Sequence, residues 1–313
     1  MSTMCAKNYT HFHSLLHGIK QIGMICLAVF LSVSLCLASG VSPTATTADC
    51  DNATLSTYSG TTNLQANWEP NTIDITWYNG NDVFATNSCV YDDILTLPSG
   101  TPTKTGYTFD GWRVKLPTGY TRLQYLESTG SACIDTGVKL SSDNVIYEWN
   151  AKDNSNSSTS LFGSEYGSPR LYSGILYGTN SSRNLYSGSS TSMSCGYNSS
   201  DGNYHLWSLV ISSDKNAYLV KDGTKLTTIS WSGTLNKTNT IALYCNHYVD
   251  SFTQSAKVSY KYFKIIDNGE EVFHGIPARR NSDNVLGIYD TVSKSFKTNV
   301  LSSGSFVAGP VEQ

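Results

Sequence analysis

Short apolar runs separated by turn sequences fill residues 116–310, and this arrangement limits the fold more than any other feature of the chain. Scarcely any helical period is present in this region. Asp222-Gly223 and Asn268-Gly269 each separate two such runs, and dipeptides of this kind are strong signals for two-residue β-hairpins. Several short strands at regular spacing are typical of a sandwich. We therefore predict an all-β sandwich for this part of the chain.

Two of the runs show the period of a half-buried strand. Val145, Tyr147, Trp149 and Ala151 occupy every second position of the first run, and His205, Trp207, Leu209 and Ile211 those of the second. The second run also carries Leu206 and Val210 on its opposite face. A strand that is apolar on both faces is expected in the middle of a sheet, so we predict a central position for it.

A smaller module is predicted upstream, at residues 64–115. The run IDITWY at 73–78 alternates as a half-buried strand does, with Ile73, Ile75 and Trp77 on one face. The Asn-Gly dipeptide that follows at 79–80 predicts a turn. The module is near the lower size limit for a domain that folds alone.

The first 40 residues are typical of an export signal. No acidic residue precedes Asp49, and Lys7 and Lys20 lead into an apolar run at 22–38. Small residues around position 40 offer a cleavage site, so we expect residues 1–40 to be removed. The apolar run is also at the lower edge of what spans a membrane, and an uncleaved anchor is the alternative. In both cases the rest of the chain is exported, to the periplasm, the cell surface or the medium.

Cysteine pairing is expected in an oxidising compartment. Beyond the signal the chain has Cys50, Cys89, Cys133, Cys195 and Cys245, an odd number. We expect Cys50 to pair with Cys89 and Cys195 with Cys245, which leaves Cys133 free. None of the cysteines forms the close pair that a zinc site needs, and we predict no metal site and no cofactor.

The charge balance bears on partners. Lys and Arg together number 21, Asp and Glu number 24, and the formal net charge is −3. No basic block is present that could neutralise a phosphate backbone, so we predict no nucleic-acid partner. Contact with a membrane is expected only through the N-terminal segment if it stays uncleaved.

The smaller module resembles a known repeat. The stretch LPSGTPTKTGYTFDGW, residues 97–112, is similar to the tail of the internalin B-type repeat, also called the Listeria and Bacteroides repeat. Residues 64–80, LQANWEPNTIDITWYNG, resemble the seam between two such repeats, so residues 41–63 are taken as a linker with the remnant of a truncated repeat. The resemblance implies a β-grasp-like spacer or adhesion module without catalysis. For its tryptophans, Trp68, Trp77 and Trp112, we expect core packing rather than a role in ligand binding.

The larger region resembles the concanavalin A-like lectin, or laminin G-like, jelly-roll domains of bacterial surface proteins. Three stretches carry the likeness: LPTGYTRLQYLESTGSACIDTGV at 116–138, DGNYHLWSLVISSDKNAYLVKDGTKL at 201–226 and IPARRNSDNVLGIYDTVSKSF at 276–296. The resemblance implies a jelly-roll β-sandwich over residues 116–310, followed by a short tail at 311–313. It also places His205 in a structural signature of the family.

The sequence shows no convincing catalytic set, and we predict that the protein is not an enzyme. Glycoside hydrolases on this fold need two carboxylates across the scissile bond, typically in an E-x-D-x-x-E array, which is absent. Glu148, Glu165, Glu270 and Glu271 lack the partner acids at that spacing. For His205 we favour a hydrogen-bonded structural histidine over a general base.

A tyrosine-rich stretch, residues 160–188, is the candidate binding region. Sugar rings present apolar C–H faces that stack on aromatic side chains, while their hydroxyls pair with polar groups. We select Tyr166, Arg170 and Tyr172 as the candidate ligand-binding residues. The alternative is that these tyrosines pack in the sandwich with their hydroxyls at its rim.

These observations predict an exported, non-catalytic surface protein of bacterial type that binds carbohydrate or another surface polymer in an adhesion role. A structural or protein-binding module of a cell-surface or fibre assembly is the second hypothesis. A glycoside hydrolase is the third, and it would need two carboxyl groups about 5–10 Å apart in a cleft.

Overall fold

The computed structural model describes residues 70–90, 94–109 and 111–312. The chain divides into two compact units, with the boundary between Trp112 and Arg113. No helix occurs in the described ranges, and they accordingly contain none that is long and apolar enough to cross a membrane. The predicted signal peptide, residues 1–40, and the linker at 41–63 lie outside the described residues. The described chain is all-β, as predicted.

In its described residues, the smaller unit forms an antiparallel hairpin of β1 (Thr72–Asn79) and β2 (Asp82–Val90). Asn79 pairs with Asp82, so the turn consists of Gly80 and Asn81 and lies one residue later than predicted. Gly80 has a φ of 65°, a left-handed conformation that glycine adopts without steric cost.

Aromatic side chains form the core of this smaller unit. The ring of Trp112 lies 5.0 Å from that of Trp77 and 5.3 Å from those of Phe84 and Phe109, between centroids. Trp77 is buried, as the alternation in β1 predicts, whereas Ile73 at the start of the same strand is 43% exposed. Trp77 and Trp112 therefore pack against other aromatic rings, as expected for tryptophans of a small core. Trp68 lies outside the described residues.

The larger unit contains the remaining strands: β3 (Tyr120–Arg122), β4 (Leu126–Ser128), β5 (Ile134–Asp135), β6 (Val145–Asp153), β7 (Thr159–Ser160), β8 (Phe162–Tyr166), β9 (Leu171–Thr179), β10 (Ser182–Gly188), β11 (Ser190–Tyr197), β12 (His205–Ile211), β13 (Asn216–Lys221), β14 (Thr224–Ser230), β15 (Ala242–Leu243), β16 (Asn246–Tyr248), β17 (Ser251–Thr253), β18 (Val258–Asp267), β19 (Glu270–Arg280), β20 (Leu286–Asp290), β21 (Ser295–Thr298) and β22 (Phe306–Ala308). Both predicted hairpins are confirmed, because Asp222-Gly223 joins β13 to β14 and Asn268-Gly269 joins β18 to β19. All four turn residues have positive φ, as this type of two-residue turn requires.

The strands of the larger unit form two sheets. The 11-stranded sheet has the order β14-β13-β12-β6-β18-β19-β20-β21, with β3 beside β19, β4 beside β18 and β22 beside β4. The 9-stranded sheet has the order β11-β10-β9-β8-β15-β5, with β7 beside β9, β16 beside β8 and β17 beside β16. The pairing is antiparallel apart from that of β16 with β8. As predicted, β12 lies in the interior of its sheet.

The two sheets pack face to face as in a β-sandwich. Along β6 every second residue from Val145 to Asp153 is buried, which confirms the predicted alternation. The rings of Tyr147 and Trp149 lie 4.9 and 5.0 Å from that of Phe162, on β8 of the opposite sheet. The Tyr147 hydroxyl donates a hydrogen bond of 2.5 Å to the carbonyl of Ser173 on β9. The core thus combines apolar area from both sheets with hydrogen bonds for the buried hydroxyls.

Gly174 on β9 lies in close contact with side chains of the opposite sheet. A Cβ atom at this position would lie 2.5 Å from Ile211 Cδ1 and 3.3 Å from Tyr147 Cε2. Its φ is 93°, in the region that L-residues rarely adopt. Both the space and the backbone conformation therefore require glycine here.

A buried ion pair joins the two sheets at one end. Arg183 on β10 donates to both carboxylate oxygens of Asp153 on β6, at 2.8 and 3.1 Å. Tyr197 donates a third hydrogen bond to the same carboxylate, at 3.0 Å. Burial by itself would lower the pKa of Arg183, but Asp153 outweighs that effect and raises the pKa above its usual value. The pair is buried, so its hydrogen bonds offset the cost of removing both charges from water.

The disulfide arrangement corrects the prediction. Cys245 is bonded to Cys133, with a Cα–Cα distance of 5.6 Å, whereas Cys195 is a buried thiol and was expected to be the partner of Cys245. The reason is that β5 pairs with β15, which brings the residues flanking these two short strands together. Cys89 is a free thiol on β2, and its expected partner Cys50 lies outside the described residues.

Candidate functional site

A cleft of about 210 Å³ opens on the 9-stranded sheet. The residues that line it are Glu165, Arg170, Tyr172, Ile175, Tyr177, Tyr186, Asn246 and Gln254. They come from β8, β9, β10 and β16 and from the turns that follow β8 and β17. The volume is smaller than the roughly 300–1,000 Å³ of sites for drug-sized ligands, and it suits a single small ring.

The cleft lies on the face of the sheet that points away from the sandwich core. Phe162, Leu176 and Leu185 belong to the core cluster. Neighbouring residues on a strand point to opposite faces, so Ile175 and Tyr186 are directed to the other side. Strand alternation therefore separates Ile175 and Tyr186 from the core.

A β-bulge places two of the tyrosines on the same face of β9. Strict alternation would direct Tyr172 and Tyr177 to opposite faces. The register with β10 shifts at Gly174, since Ile175 pairs with Tyr186 while Ser173 pairs with Ser187. One extra residue in β9 reverses the alternation, and both tyrosines line the cleft.

The three tyrosines form an edge-to-face array. The ring of Tyr186 lies 5.3 Å from that of Tyr172 and 6.0 Å from that of Tyr177, between centroids, with interplanar angles of 61° and 89°. Tyr172 is buried, and burial raises the pKa of its hydroxyl, an effect partly offset by Arg170. Tyr177 and Tyr186 are half-buried, so parts of their rings remain open to a ligand.

Glu165 is a buried carboxylate in this cleft, with 5% of the residue exposed. Its Oε2 accepts a hydrogen bond of 3.1 Å from Asn246 Nδ2. Its backbone carbonyl accepts hydrogen bonds from Asn239 Nδ2 at 3.2 Å and from the Val249 amide at 3.1 Å. These contacts fix the end of β8, and with it the direction of the Glu165 side chain.

Arg170 lies at the mouth of the cleft, and 58% of its side chain is exposed. Its Nε is 3.0 Å from Glu165 Oε1, so the two side chains form an ion pair. The N–H is not directed at the oxygen, and the contact is not a hydrogen bond. Its guanidinium carbon lies 5.4 Å from the centre of the Tyr248 ring. The Tyr172 hydroxyl, followed by Glu165, raises the pKa of Arg170 above its usual value.

The structure brings together two of the three residues selected from the sequence. Arg170 and Tyr172 line the cleft, whereas Tyr166 at the end of β8 is 39% exposed and is not part of the lining. The sequence stretch that was selected also contains Tyr177 and Tyr186, which complete the array. Tyr172 is buried, but it lies in the cleft lining and does not belong to the core cluster of the sandwich.

Sequence reasoning missed the polar residues of the cleft. Glu165 was considered only as an unpaired acid, and Asn246 and Gln254 were not considered. Glu165 lies inside the selected stretch, residues 160–188, so it could have been chosen as a polar binding residue beside the tyrosines. Asn246 and Gln254 come from a distant part of the chain, and no local pattern connects them to it.

Outside the cleft, His205 has carboxylate partners on both sides of its ring. His205 lies between two carboxylates, with Nδ1 2.7 Å from Asp222 Oδ2 and Nε2 2.8 Å from Asp201 Oδ2. The hydrogen bond with His205 is the main cause that lowers the pKa of Asp201 to about 2. Across residues 70–90, 94–109 and 111–312, no group of three His, Cys, Asp or Glu side chains is arranged to hold a metal ion.

Comparison with known proteins does not assign the chain to a family. No protein-family profile matches it, and no curated protein sequence matches it.

Proposed function

We propose that this chain is an exported, non-catalytic surface protein that binds carbohydrate or another surface polymer in the tyrosine-lined cleft. The larger unit is proposed to be a jelly-roll domain of the concanavalin A-like lectin or laminin G-like type. The smaller unit is proposed to be an internalin B-type repeat that acts as a spacer. The role is adhesion.

Three sequence stretches and the sandwich support the family proposal. The signature at 201–226 coincides with the β12–β13–β14 part of the larger sheet. The stretch at 276–296 spans the pairing of β19 with β20. Strands at these positions fit the lectin-type pattern that the sequence suggests, while function on a shared fold needs its own argument from the site.

The lining of the cleft carries the functional proposal. Tyr172, Tyr177 and Tyr186 place aromatic rings beside Glu165 and Arg170 within one small concave site. Apolar ring faces next to hydrogen-bonding groups match a sugar, which has C–H faces and a rim of hydroxyls. Glu165 is the one carboxylate in the described lining, so the cleft lacks the acid pair that a glycoside hydrolase uses.

A glycan array tests this proposal, followed by binding curves for the best glycan. Tyr186→Ala removes the central ring of the array and is expected to weaken binding about tenfold, equivalent to ~1.4 kcal/mol of stacking. The matched control is Tyr218→Ala, which removes a half-buried tyrosine from β13 in the other sheet. Equal loss in both variants, or none in Tyr186→Ala, would place the site elsewhere.

The array also separates the alternatives. A folded protein that binds no glycan would contradict carbohydrate binding and favour the second hypothesis, a structural or protein-binding module of a surface assembly. Tyr166→Ala decides whether the exposed ring beside the cleft takes part. If Tyr166→Ala weakens binding as much as Tyr186→Ala does, the site extends over the turn after β8.

A further inference from the structure

The acceptor groups at the base of the cleft are closed to a ligand. Oε1 of Glu165 is buried and lies 3.0 Å from Arg170 Nε, with which it forms an ion pair. Oε2 accepts the hydrogen bond from Asn246 Nδ2. The oxygen of the Asn246 amide is buried as well. The one carboxylate of the described lining is therefore engaged within the protein, and it holds Arg170 in place.

Arg170 offers the strongest hydrogen-bond donors that a ligand can reach. Its side chain is 58% exposed, and the ion pair with Glu165 engages its Nε. The Tyr248 ring, 5.4 Å from the guanidinium carbon, and the Tyr172 hydroxyl lie beside the same group. These contacts restrict where the guanidinium can lie. Its two terminal nitrogens form a planar fork, which matches the paired oxygens of a carboxylate or a tetrahedral oxyanion.

Gln254 supplies a second donor to the same cleft. Its backbone carbonyl accepts from the Ser160 amide at 2.8 Å, and its side-chain oxygen accepts from Ser160 Oγ at 2.9 Å. These two contacts orient the side-chain amide and leave its NH₂ group to donate to a ligand. The residue is exposed and lines the cleft together with Arg170. Two donor groups on different segments of the chain can therefore reach one ligand.

The distribution of charge favours an acidic ligand at these donors. Glu165 and Arg170 are the charged side chains of the described lining, and their formal charges cancel. The energy between two charges falls with their separation, however. An anion that accepts from the terminal nitrogens of Arg170 would contact the guanidinium, whereas the buried oxygens of Glu165 would lie farther away. A cationic ligand would meet the guanidinium first and be repelled.

We infer that the cleft selects a sugar ring that carries an acidic group, the carboxylate of a uronic acid or a sulfate, and that Arg170 and Gln254 donate to this group. This inference rests on the proposed carbohydrate-binding function and adds the class of ligand. The half-buried rings of Tyr177 and Tyr186 are available for the C–H face of the sugar. Glu165 acts through Arg170 and is a positioning residue.

The test uses the full chain on an array of matched neutral, uronic, sulfated and amino sugars. Uronic or sulfated sugars are expected to bind at least about tenfold more tightly than their neutral counterparts, and added salt should reduce this difference because it screens the exposed guanidinium. The uronic and sulfated arms identify the acidic group. A smaller difference, or a preference for neutral or amino sugars, would overturn this inference and leave carbohydrate binding in place. Absence of binding to every glycan would overturn the proposed function as well.

A double variant removes the ion pair without leaving a buried charge unpaired. In Arg170→Gln/Glu165→Gln the fork is lost, and we expect the ratio of acidic to neutral affinity to fall to about one. The matched control is Arg280→Gln/Asp283→Asn, which removes an ion pair of 2.6 Å after β19 and should keep the ratio of the unmodified chain. A ratio that is retained in the cleft variant, or that falls equally in both variants, would show that Arg170 does not hold the acidic group.

Gln254→Glu tests the second donor and leaves the ion pair intact. The substitution keeps the shape of the side chain but replaces its NH₂ group by a charged oxygen, which repels an acidic ligand. We expect the ratio of acidic to neutral affinity to fall about tenfold or more. Gln124→Glu, at an exposed residue between β3 and β4, adds the same charge elsewhere and is the control. If Gln254→Glu keeps the ratio of the unmodified chain, the acidic group does not lie in this cleft.

Discussion

Removal of the Cys133–Cys245 disulfide is expected to destabilise the larger unit strongly. The bond joins residues separated by 112 positions, on segments that flank β5 and β15. A crosslink of this length restricts the unfolded chain far more than the folded one. Both cysteines are fully buried beside Ala242, so the native contacts change little when the sulfur atoms are replaced.

The size of the effect follows from the sequence separation of 112. In the chain-entropy treatment, a loop of this length accounts for about 5 kcal/mol at 25 °C, and removal of native disulfides typically costs ~2–5 kcal/mol. We therefore expect the double variant Cys133→Ala/Cys245→Ala to lose about 2–5 kcal/mol in its free energy of unfolding. Cys195→Ala removes only a buried thiol and is the matched control, with an expected loss of about 1 kcal/mol.

Urea unfolding of the three oxidised proteins measures these differences. Peptide mapping without reduction identifies the bonded pair directly. The burial that raises the pKa of the Cys195 thiol to about 11 keeps it protonated and unreactive, so it should appear as a free thiol. A crosslinked peptide pair containing Cys195 and Cys245, or equal losses in Cys195→Ala and the double variant, would refute this account of the larger unit.

Three further predictions concern stability. Asp153→Ala leaves the buried Arg183 without its carboxylate and should cost about 3–5 kcal/mol in urea unfolding; a loss below ~1 kcal/mol would show that the pair is not buried. Gly174→Ala introduces a Cβ into a contact of 2.5 Å on a left-handed backbone, and about 2–4 kcal/mol should be lost. Partial burial alone would raise the pKa of Asp143, but hydrogen bonds from Lys215 and neighbouring donors outweigh it and hold the pKa well below its usual value. A carboxylate whose pKa is lowered by folding stabilises the folded state at pH values above its unfolded pKa, and this stabilisation is lost as the pH falls. The free energy of unfolding should therefore drop between about pH 5 and pH 2, and it should drop by more in the unmodified chain than in Asp143→Asn.

The sequence by itself determined the local structure. Two-residue turns at 222–223 and 268–269 appear where their dipeptides predict them, because only a few residue types accept two consecutive positive φ values. The alternation along β6 and β12 was readable because successive side chains of a strand point to opposite faces. The tyrosine-rich stretch was likewise visible from composition, and it contains six of the eight lining residues, including the predicted Arg170 and Tyr172.

Only the tertiary structure decided which distant segments meet. Cys133 lies beside Cys245 because β5 pairs with β15, and no spacing between cysteines encodes which strands are neighbours. Asn246 reaches Glu165 because β16 joins the edge of β8 in parallel. The bulge at Gly174 reverses the face of Tyr172, which strict alternation would have placed in the core. Strand pairing and register are set by the packing of the whole sandwich, and a local pattern contains neither.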